Sequence, residues 1–482
     1  MFPVPQINPG GTTSGMVSAQ DADELRKALE AGYGTDVSAL TGGAALRVQS
    51  LDATLQAILA DQSHFKLFNA LPKPAAGATV DEWTEATSQG GFPGSSANTE
   101  TGAIGASQGE YARRVGLVKY LMTQCQVSFA VTLQNAIISA EAQENTMGTL
   151  RLLRDAEHLA FEGDSTVVPT EFDGIGAQIA SLGSADHVID NEAAPLAATG
   201  AVGMQKVFNA AATIGGYGNF GMPTHLFTSP LSAADMDANL DPAYRVALNS
   251  GAPAQMGTPV RGIVTAHGDI AMERDVFIRD EQQQQPFETL YPAVAAANAF
   301  APASVVAGTP ASDASSKFAT AHAGNYYYAV AGVTNAGESA VVKSAQVALT
   351  AGQKVALTIT ASVAGTETGY VIYRGRKNGT NATNDLRFVA RIPKAGATTV
   401  WTDLNRDIPG TSKAYMLNLA PSYTAMTWRQ LLPLTKFQLY PTNAAVVPWA
   451  LLMFGYLRIT KRQQHVLIKN ILPSGAIWRP FG

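Results

Sequence analysis

Between Leu71 and Ser128 the chain carries a tract that a compact monomer has no means of burying. Two strand-like runs flank it, Val80 to Thr87 on one side and Tyr111 to Met122 on the other. Between them Gly90, Gly91, Gly94, Gly102, Gly105 and Gly109 are scattered among Ser, Thr, Asn and Ala, with almost no core-forming residues. A structureless connection of that length inside a compact domain is uncommon, and is usually functional or disordered. Ordering backbone costs about 1–2 kcal/mol per residue, on the order of tens of kcal/mol for the whole tract. The tract has too few apolar side chains to offset that cost, but a neighbouring molecule can supply the missing contacts. The pattern predicts an extended hairpin over 71–128, ordered by assembly, and points away from catalysis.

The 482-residue length leaves room for two or three domains. Charged residues are 15% of the chain, against about a quarter in ordinary globular proteins. Low surface charge fits a protein that covers itself with its own copies, and also fits a secreted β-rich protein. A net charge of −5 offers no basic stripe of the kind that grips nucleic acid tightly. The single cysteine, Cys125, excludes an intrachain disulfide framework and a cysteine-based zinc site; in its apolar run it reads as a small core residue. Met1-Phe-Pro-Val-Pro5 has neither the basic start nor the apolar segment of a signal peptide. The most apolar run, Ala444 to Leu457, is broken by Pro448 and Gly455 and falls short of the roughly 20 residues of a membrane helix. It reads as buried strand, so a soluble protein without a membrane partner is expected.

Met1 to Met16, rich in Pro and Gly, reads as an extended arm, and Leu51, Leu55, Ile58 and Leu59 mark one face of a following helix. After the hairpin, apolar positions from Leu133 through Ile137, Met147, Leu150, Leu153 and Leu159 predict a long helix over Leu133–Phe161, stopped at Gly163-Asp164. A polar break at Gln143–Asn145 suggests that this helix lies across a surface. From Glu171 to Phe300 the pattern mixes helix (201–214) with strands (224–227, 260–265, 275–278). Ala301 to Ser316 is a linker by composition. Strands then follow at short intervals, 325–333, 355–359, 370–374, 386–390 and 398–401, with strict alternation at Val355, Leu357 and Ile359 and a turn at Lys377–Thr380. This is the pattern of a β-sandwich of immunoglobulin or fibronectin III style over 301–412. Beyond Lys413 further strands (428–433, 435–440, 445–456, 465–469) close a sheet begun earlier, so the sandwich is inserted rather than appended.

This order of parts resembles the major capsid proteins of tailed bacteriophages with the Hong Kong 97-type fold. The local segments that carry the resemblance are Leu150–Glu157 with Phe161-Glu-Gly-Asp164 and Glu171–Ile175, which look like the exit of the spine helix. Thr228-Ser-Pro230 looks like the axial domain, and Trp428–Leu434 like the strand re-entering the peripheral domain. The resemblance implies an α+β capsid fold with the following parts: N-terminal arm and helix (1–70), extended hairpin loop (71–128), spine helix with peripheral and axial α/β core (129–300), inserted sandwich (301–412) and closing C-terminal strands (413–482). Within the insert, Tyr326–Ser339 resembles a late strand and loop of a fibronectin-type module and Gly369–Arg374 its central strand, in permuted order. In this family such inserts commonly project outward. No long charged N-terminal extension is present, so either a separate scaffolding protein serves or the chain is a processed form.

Chemical motifs are weak. Gly216-Tyr-Gly218-Asn-Phe-Gly221 matches a dinucleotide fingerprint, but the predicted helix precedes it and a strand follows, the reverse of the order that places a pyrophosphate at a helix N-terminus. The seven histidines show no metal-ligand spacing, and Asp235, Asp237 and Asp241 lack the glycine and final glutamate of a calcium loop. Asn378 and Asn381 open glycosylation sequons that the missing export signal makes irrelevant. No catalytic residue, cofactor or metal is expected.

The candidate contact residues are Trp83, Phe92 and Ile104 as apolar anchors on a neighbour, and Arg113, Arg114 and Lys119 as partners for its acidic groups. The alternative for Trp83 is packing across the hairpin on Val115 or Leu117. The expected function is a non-enzymatic capsid subunit forming hexamers and pentamers of itself. Its further expected partners are the portal, scaffolding or decoration proteins, and packaged double-stranded DNA touched without specificity. Its expected location is the virion shell, reached from the host cytoplasm, with the sandwich outside and removable (302–412) without loss of assembly. Two rivals are a bacterial surface adhesin built on the fibronectin-like module and an oxidoreductase built on the glycine-rich turn.

Overall fold

The computed structural model describes residues 62–133, 139–238, 260–296, 299–441 and 444–482, all within one compact unit. The expected arm and first helix (Met1–Met16, Leu51–Leu59) lie outside the described residues, as do Ile137 and Asp241.

The long helix runs Ala140–Glu162, its N-terminus capped by Ser139, whose Oγ accepts the Ala142 N–H. The expected start at Leu133 is wrong. A separate short helix, Phe129–Thr132, ends there, and Leu133 is exposed. The face the helix buries is Gly148, Leu152, Ala156, Glu157, Ala160 and Phe161, a stripe in which half the residues are small and one is acidic. Reading by large apolar residues therefore found its half-buried flank instead. Gly148 shows why small residues are needed: a Cβ there would stand 2.6 Å from Cys125 Sγ and 2.7 Å from Leu451 Cδ1.

Those two atoms belong to a three-stranded antiparallel sheet, Met426–Gln438, Val446–Ile459 and Lys119–Ser128, with Val446–Ile459 central. Its inner face (Cys125, Trp449, Leu451) packs on Leu152 of the helix. Two expected strands, 428–433 and 435–440, are one strand bent by irregularities at Gln430/Leu432 and Leu432/Thr435. Pro433 is tolerated because this is an edge.

The other end of the long helix meets a six-stranded sheet ordered Val188–Ala194, Val466–Ile471, Ser412–Leu417, His225–Thr228, Gly268–Arg274 and Gly262–Thr265. Phe161 packs on Tyr415 at 5.0 Å and on Phe227 at 6.1 Å. The helix Met204–Gly215 covers the opposite face through Val207, Ala210, Ala211 and Ile214. The strand expected at 275–278 is a turn. Asp275 Oδ1 accepts the Phe277 N–H at 2.8 Å, local side-chain bonding that competes with a ladder, and the strand is instead Gly268–Arg274.

Residues 304–403 form two larger sheets and one short pair. One sheet holds Thr398–Asp403, Gln353–Thr360 and Ser304–Ala307, with Ala311–Ser312 paired alongside. The other holds Gly337–Glu338, Tyr328–Thr334, Gly369–Gly375 and Leu386–Pro393, with Val342–Lys343 on Tyr328–Thr334. Gly324–Tyr326 pairs with Val347–Leu349. The two larger sheets share a core of Val305, Tyr328, Val330, Val355, Leu357, Ile359, Tyr370 and Ile372. Ala301–Ser316 is therefore not a linker. Its small residues supply two short strands, with Val305 turned inward.

The second of these sheets is buried on both faces. Its far side, Ala329, Ala331, Val333, Val371 and Tyr373, packs on Val167 and Val168, just past the long helix. Gly369 permits the approach, since a Cβ there would lie 2.5 Å from Val167 Cγ1. Arg391 grips Glu171 through two bonds of 3.0 and 3.1 Å, and the indole N–H of Trp478, near the C-terminus, reaches the Asp385 carbonyl at 3.0 Å.

Candidate functional site: the hairpin and the surfaces around it

Val80–Ser88 and Glu110–Leu117 pair in antiparallel register, Val80 opposite Leu117 and Trp83 opposite Arg114. Residues directly opposite share a face and alternate along each strand. Asp81, Trp83, Glu85, Arg114 and Gly116 therefore lie on one face, and Val80, Glu82, Arg113, Val115 and Leu117 on the other.

The first face is docked on the body. Asp81 accepts Arg429 Nε at 2.9 Å, the Tyr456 hydroxyl at 2.6 Å and Arg458 Nη1 at 3.3 Å. Burial pushes its carboxyl up. The Tyr456 and Arg429 hydrogen bonds and the charges of Arg429 and Arg458 outweigh that and hold it below the usual carboxylate range. A Cβ on Gly116 would stand 2.2 Å from the Tyr456 ring, so only glycine lets the strand lie this close. Beside it a cavity of about 230 Å³ is lined by Trp83, Glu85, Arg114, Gln178, Tyr456 and Arg462 among others.

The expected contact residues divide. Trp83 is half-buried on its own body, its ring 5.6 Å from the Arg458 guanidinium and its N–H on Glu85 Oε1 at 3.0 Å. Its expected packing on Val115 or Leu117 is ruled out by the register, which puts those residues on the opposite face. Arg113 pairs with Glu82 across the hairpin, Arg114 with Glu85 at 3.2 Å, and Lys119 donates to the Pro169 carbonyl at 2.5 Å. All three cations thus have partners in their own chain. Phe92 and Ile104 remain, 72% and 94% exposed, in the tip between the strands. From Gln89 to Gly109 no residue is buried, and Gly90, Gly91 and Gly94 take positive φ, open to glycine at no steric cost.

Two apolar surfaces were missed by the sequence reading. On the hairpin's second face Val80, Val115 and Leu117 are about half exposed, at 46%, 55% and 53%. On the outer face of the three-stranded sheet Tyr120, Met122 and Phe437 are exposed beside the half-buried Leu452 and Phe454, with Tyr120 edge-on to Phe454 at 4.9 Å. The signal was present in the alternation of Tyr120 and Met122 with Leu121 and Thr123, but a one-sided strand and a two-sided one look alike until the covering helix is placed.

The glycine-rich turn at 216–221 joins the helix Met204–Gly215 to the strand His225–Thr228, the order that does not cradle a phosphate. Among the described residues no group of His, Cys, Asp or Glu is arranged to hold a metal ion, and no helix is long and apolar enough to cross a membrane.

No family model matches the chain, and no curated protein matches it. Solved structures do resemble it. The capsid of a native GTA particle aligns with a TM-score of 0.46 at 10% identity, over 90% of this chain and 99% of that one. A protein of Mycobacterium phage Bobi aligns with a TM-score of 0.42 at 10% identity, over 89% and 96%. The holo-SrpI encapsulin complex from Synechococcus elongatus PCC 7942 aligns with a TM-score of 0.38 at 7% identity, over 90% and 95%. Identities and scores this low decide nothing by themselves, and the functional reading rests on the chain's own residues.

Proposed function

We propose that this chain is the shell-forming subunit of a tailed-bacteriophage head, with a Hong Kong 97-type fold and no catalytic role. The observation that carries the reading is the hairpin tip, a long glycine-rich segment without a single buried residue from Gln89 to Gly109. Burying Phe92 and Ile104 on a neighbouring copy offsets part of its ordering cost. The half-exposed stripes on the hairpin and on the three-stranded sheet supply apolar surface for such contacts. Each contact is modest. Once a few are made, the rest form at high effective concentration, so the sum closes a container of pentamers and hexamers.

In this reading the shell encloses double-stranded DNA, touched without sequence preference, and meets a portal and scaffolding or decoration proteins. It resides in the virion after assembly in the host cytoplasm. Residues 301–412 are an immunoglobulin- or fibronectin III-like module inserted in the capsid core. One of its sheets is seated on the body. The other, bearing the exposed Val306 and Val400, faces outward for display.

Negative-stain microscopy of the purified chain, alone and with candidate scaffold, tests the proposal. Closed particles or capsomers are expected. Uniform monomers under every condition would sink it.

A further inference from the structure

Two carboxyl groups with no exposed surface meet where the short helix Lys66–Ala70 crosses the long helix. Glu157 and Asp275 are both 0% exposed. Glu157 Oε1 accepts the Leu67 N–H and Oε2 the Phe68 N–H, each at 2.7 Å. These amides open the short helix, where no preceding turn supplies a carbonyl. Asp275 Oδ1 accepts the Phe277 N–H at 2.8 Å, while among the described residues no donor group reaches its Oδ2. Glu157 lies against this carboxyl within hydrogen-bonding reach. Phe65, at the entry to the helix, stacks on Phe277 at 5.2 Å, so helix, turn and carboxyl pair form one joint.

A buried acceptor left without a donor keeps the full penalty of its lost hydration, and two bare carboxylates in contact repel each other besides. One proton between them removes both costs. We propose that Glu157 and Asp275 share a proton and act as a latch, fastening Phe65–Leu71 to the long helix and to the turn at 275–278, closed in neutral solution and opened by alkali.

The charged groups around the pair are Lys66 on the short helix, Lys73 beyond it and Glu273 at the end of the strand Gly268–Arg274. The Lys66 ammonium is 3.8 Å from Glu273 and adds a cationic field at Asp275; Lys73 and Glu157 attract each other. Burial first, then the Asp275 charge, lifts the Glu157 carboxyl well above its usual range, and burial lifts Asp275 as well. For a group whose proton is held more tightly folded than unfolded, the stabilisation is complete below the ordinary carboxylate range and is lost as pH rises into the alkaline range. The inference is independent of the shell reading, since it concerns how one copy holds its own chain.

The test is amide hydrogen exchange at Leu67 and Phe68 in the full chain from about pH 7 to about pH 10, corrected for intrinsic exchange. Protection is expected to fall about tenfold per pH unit up to the midpoint of the closed state, the slope of a one-proton linkage, and to level off above it, while Leu152 on the same helix keeps its protection. In Glu157→Gln the amide oxygen accepts one of the two helix N–H groups and the amide N–H donates to Asp275, so protection should persist at one of the two amides and its pH dependence vanish. Should that variant fail to fold, Asp275→Asn removes the second charge and should flatten the profile as well. The wild-type infrared spectrum at neutral pH should also show a protonated-carboxyl band that is absent from either variant. A pH-independent wild type, an unchanged profile in the variants, or no such band would overturn the latch.

Discussion

Asp81 sets the angle at which the hairpin leaves the body, because two guanidinium groups and a phenol converge on one carboxylate at the hairpin's root. Asp81→Asn keeps the shape and removes the charge that these donors need. A hydrogen bond to a charged group contributes about 1.5–3 kcal/mol, and Asp81 is partly screened. A loss of about 2 kcal/mol of docking is therefore expected, read as faster amide exchange along Glu82–Glu85 with the long helix unaffected. The same site gives an acid dependence. The Asp81 carboxyl is held below its usual range, so its contribution is present above the unfolded value and is lost as pH falls through the folded one. Hairpin exchange should rise in acid in the wild type and be flat in Asp81→Asn. Gly116 is a steric counterpart. Gly116→Val places atoms inside the Tyr456 ring and should lift the hairpin off the body, seen as higher accessibility of Trp83 to a fluorescence quencher.

At the scale of elements, the hairpin's two strands and its tip have separate tasks. The strands are registered to each other and docked through one face, whereas the tip makes no buried contact. Replacing Gly91–Ala106 by a short Gly-Ser turn should leave the monomer's thermal unfolding within about 0.5 kcal/mol of wild type, as for surface changes away from packed features. It should also abolish particles in the microscope. Normal particles from that deletion would mean that the tip is dispensable. The hairpin was legible because period-two apolar runs around a glycine-rich tract have few other uses. The start of the long helix was not legible, since its buried stripe alternates small residues, Gly148, Ala156 and Ala160, with Leu152, Glu157 and Phe161. The seat of Trp83 was not legible because Arg458, whose guanidinium lies over its ring, comes from a strand hundreds of residues away, and register is set by pairing rather than by local preference.

For the whole molecule, the β-rich stretch 304–403 is built into the body. Its second sheet covers Val167 and Val168, Arg391 grips Glu171, and Ser412, immediately after it, begins the strand Ser412–Leu417 inside the six-stranded sheet. Burying a Val is worth roughly 1.5–3 kcal/mol, and a hydrogen bond to a charged group contributes about 1.5–3 kcal/mol, while a domain's entire stability is about 5–15 kcal/mol. Removing residues 302–412 is therefore expected to yield insoluble or loosely folded protein, checked by soluble yield and near-ultraviolet circular dichroism. Particles from that deletion would show the stretch to be a detachable appendage after all. This expectation replaces the one drawn from composition, in which Ala301–Ser316 read as a flexible tether.

Hydrophobic periodicity and glycine placement were enough to establish the hairpin, the long helix and the strand-rich stretch, because each is a property of residues near one another in the chain. Tertiary structure alone decided which face of the hairpin is docked, which cations are already paired, that a β-stretch of linker-like onset is clamped to the long helix, and that Glu157 meets Asp275. The physical reason is the same in each case: these are encounters between groups distant in sequence, and burial and pairing energies exist only once the chain has brought them together.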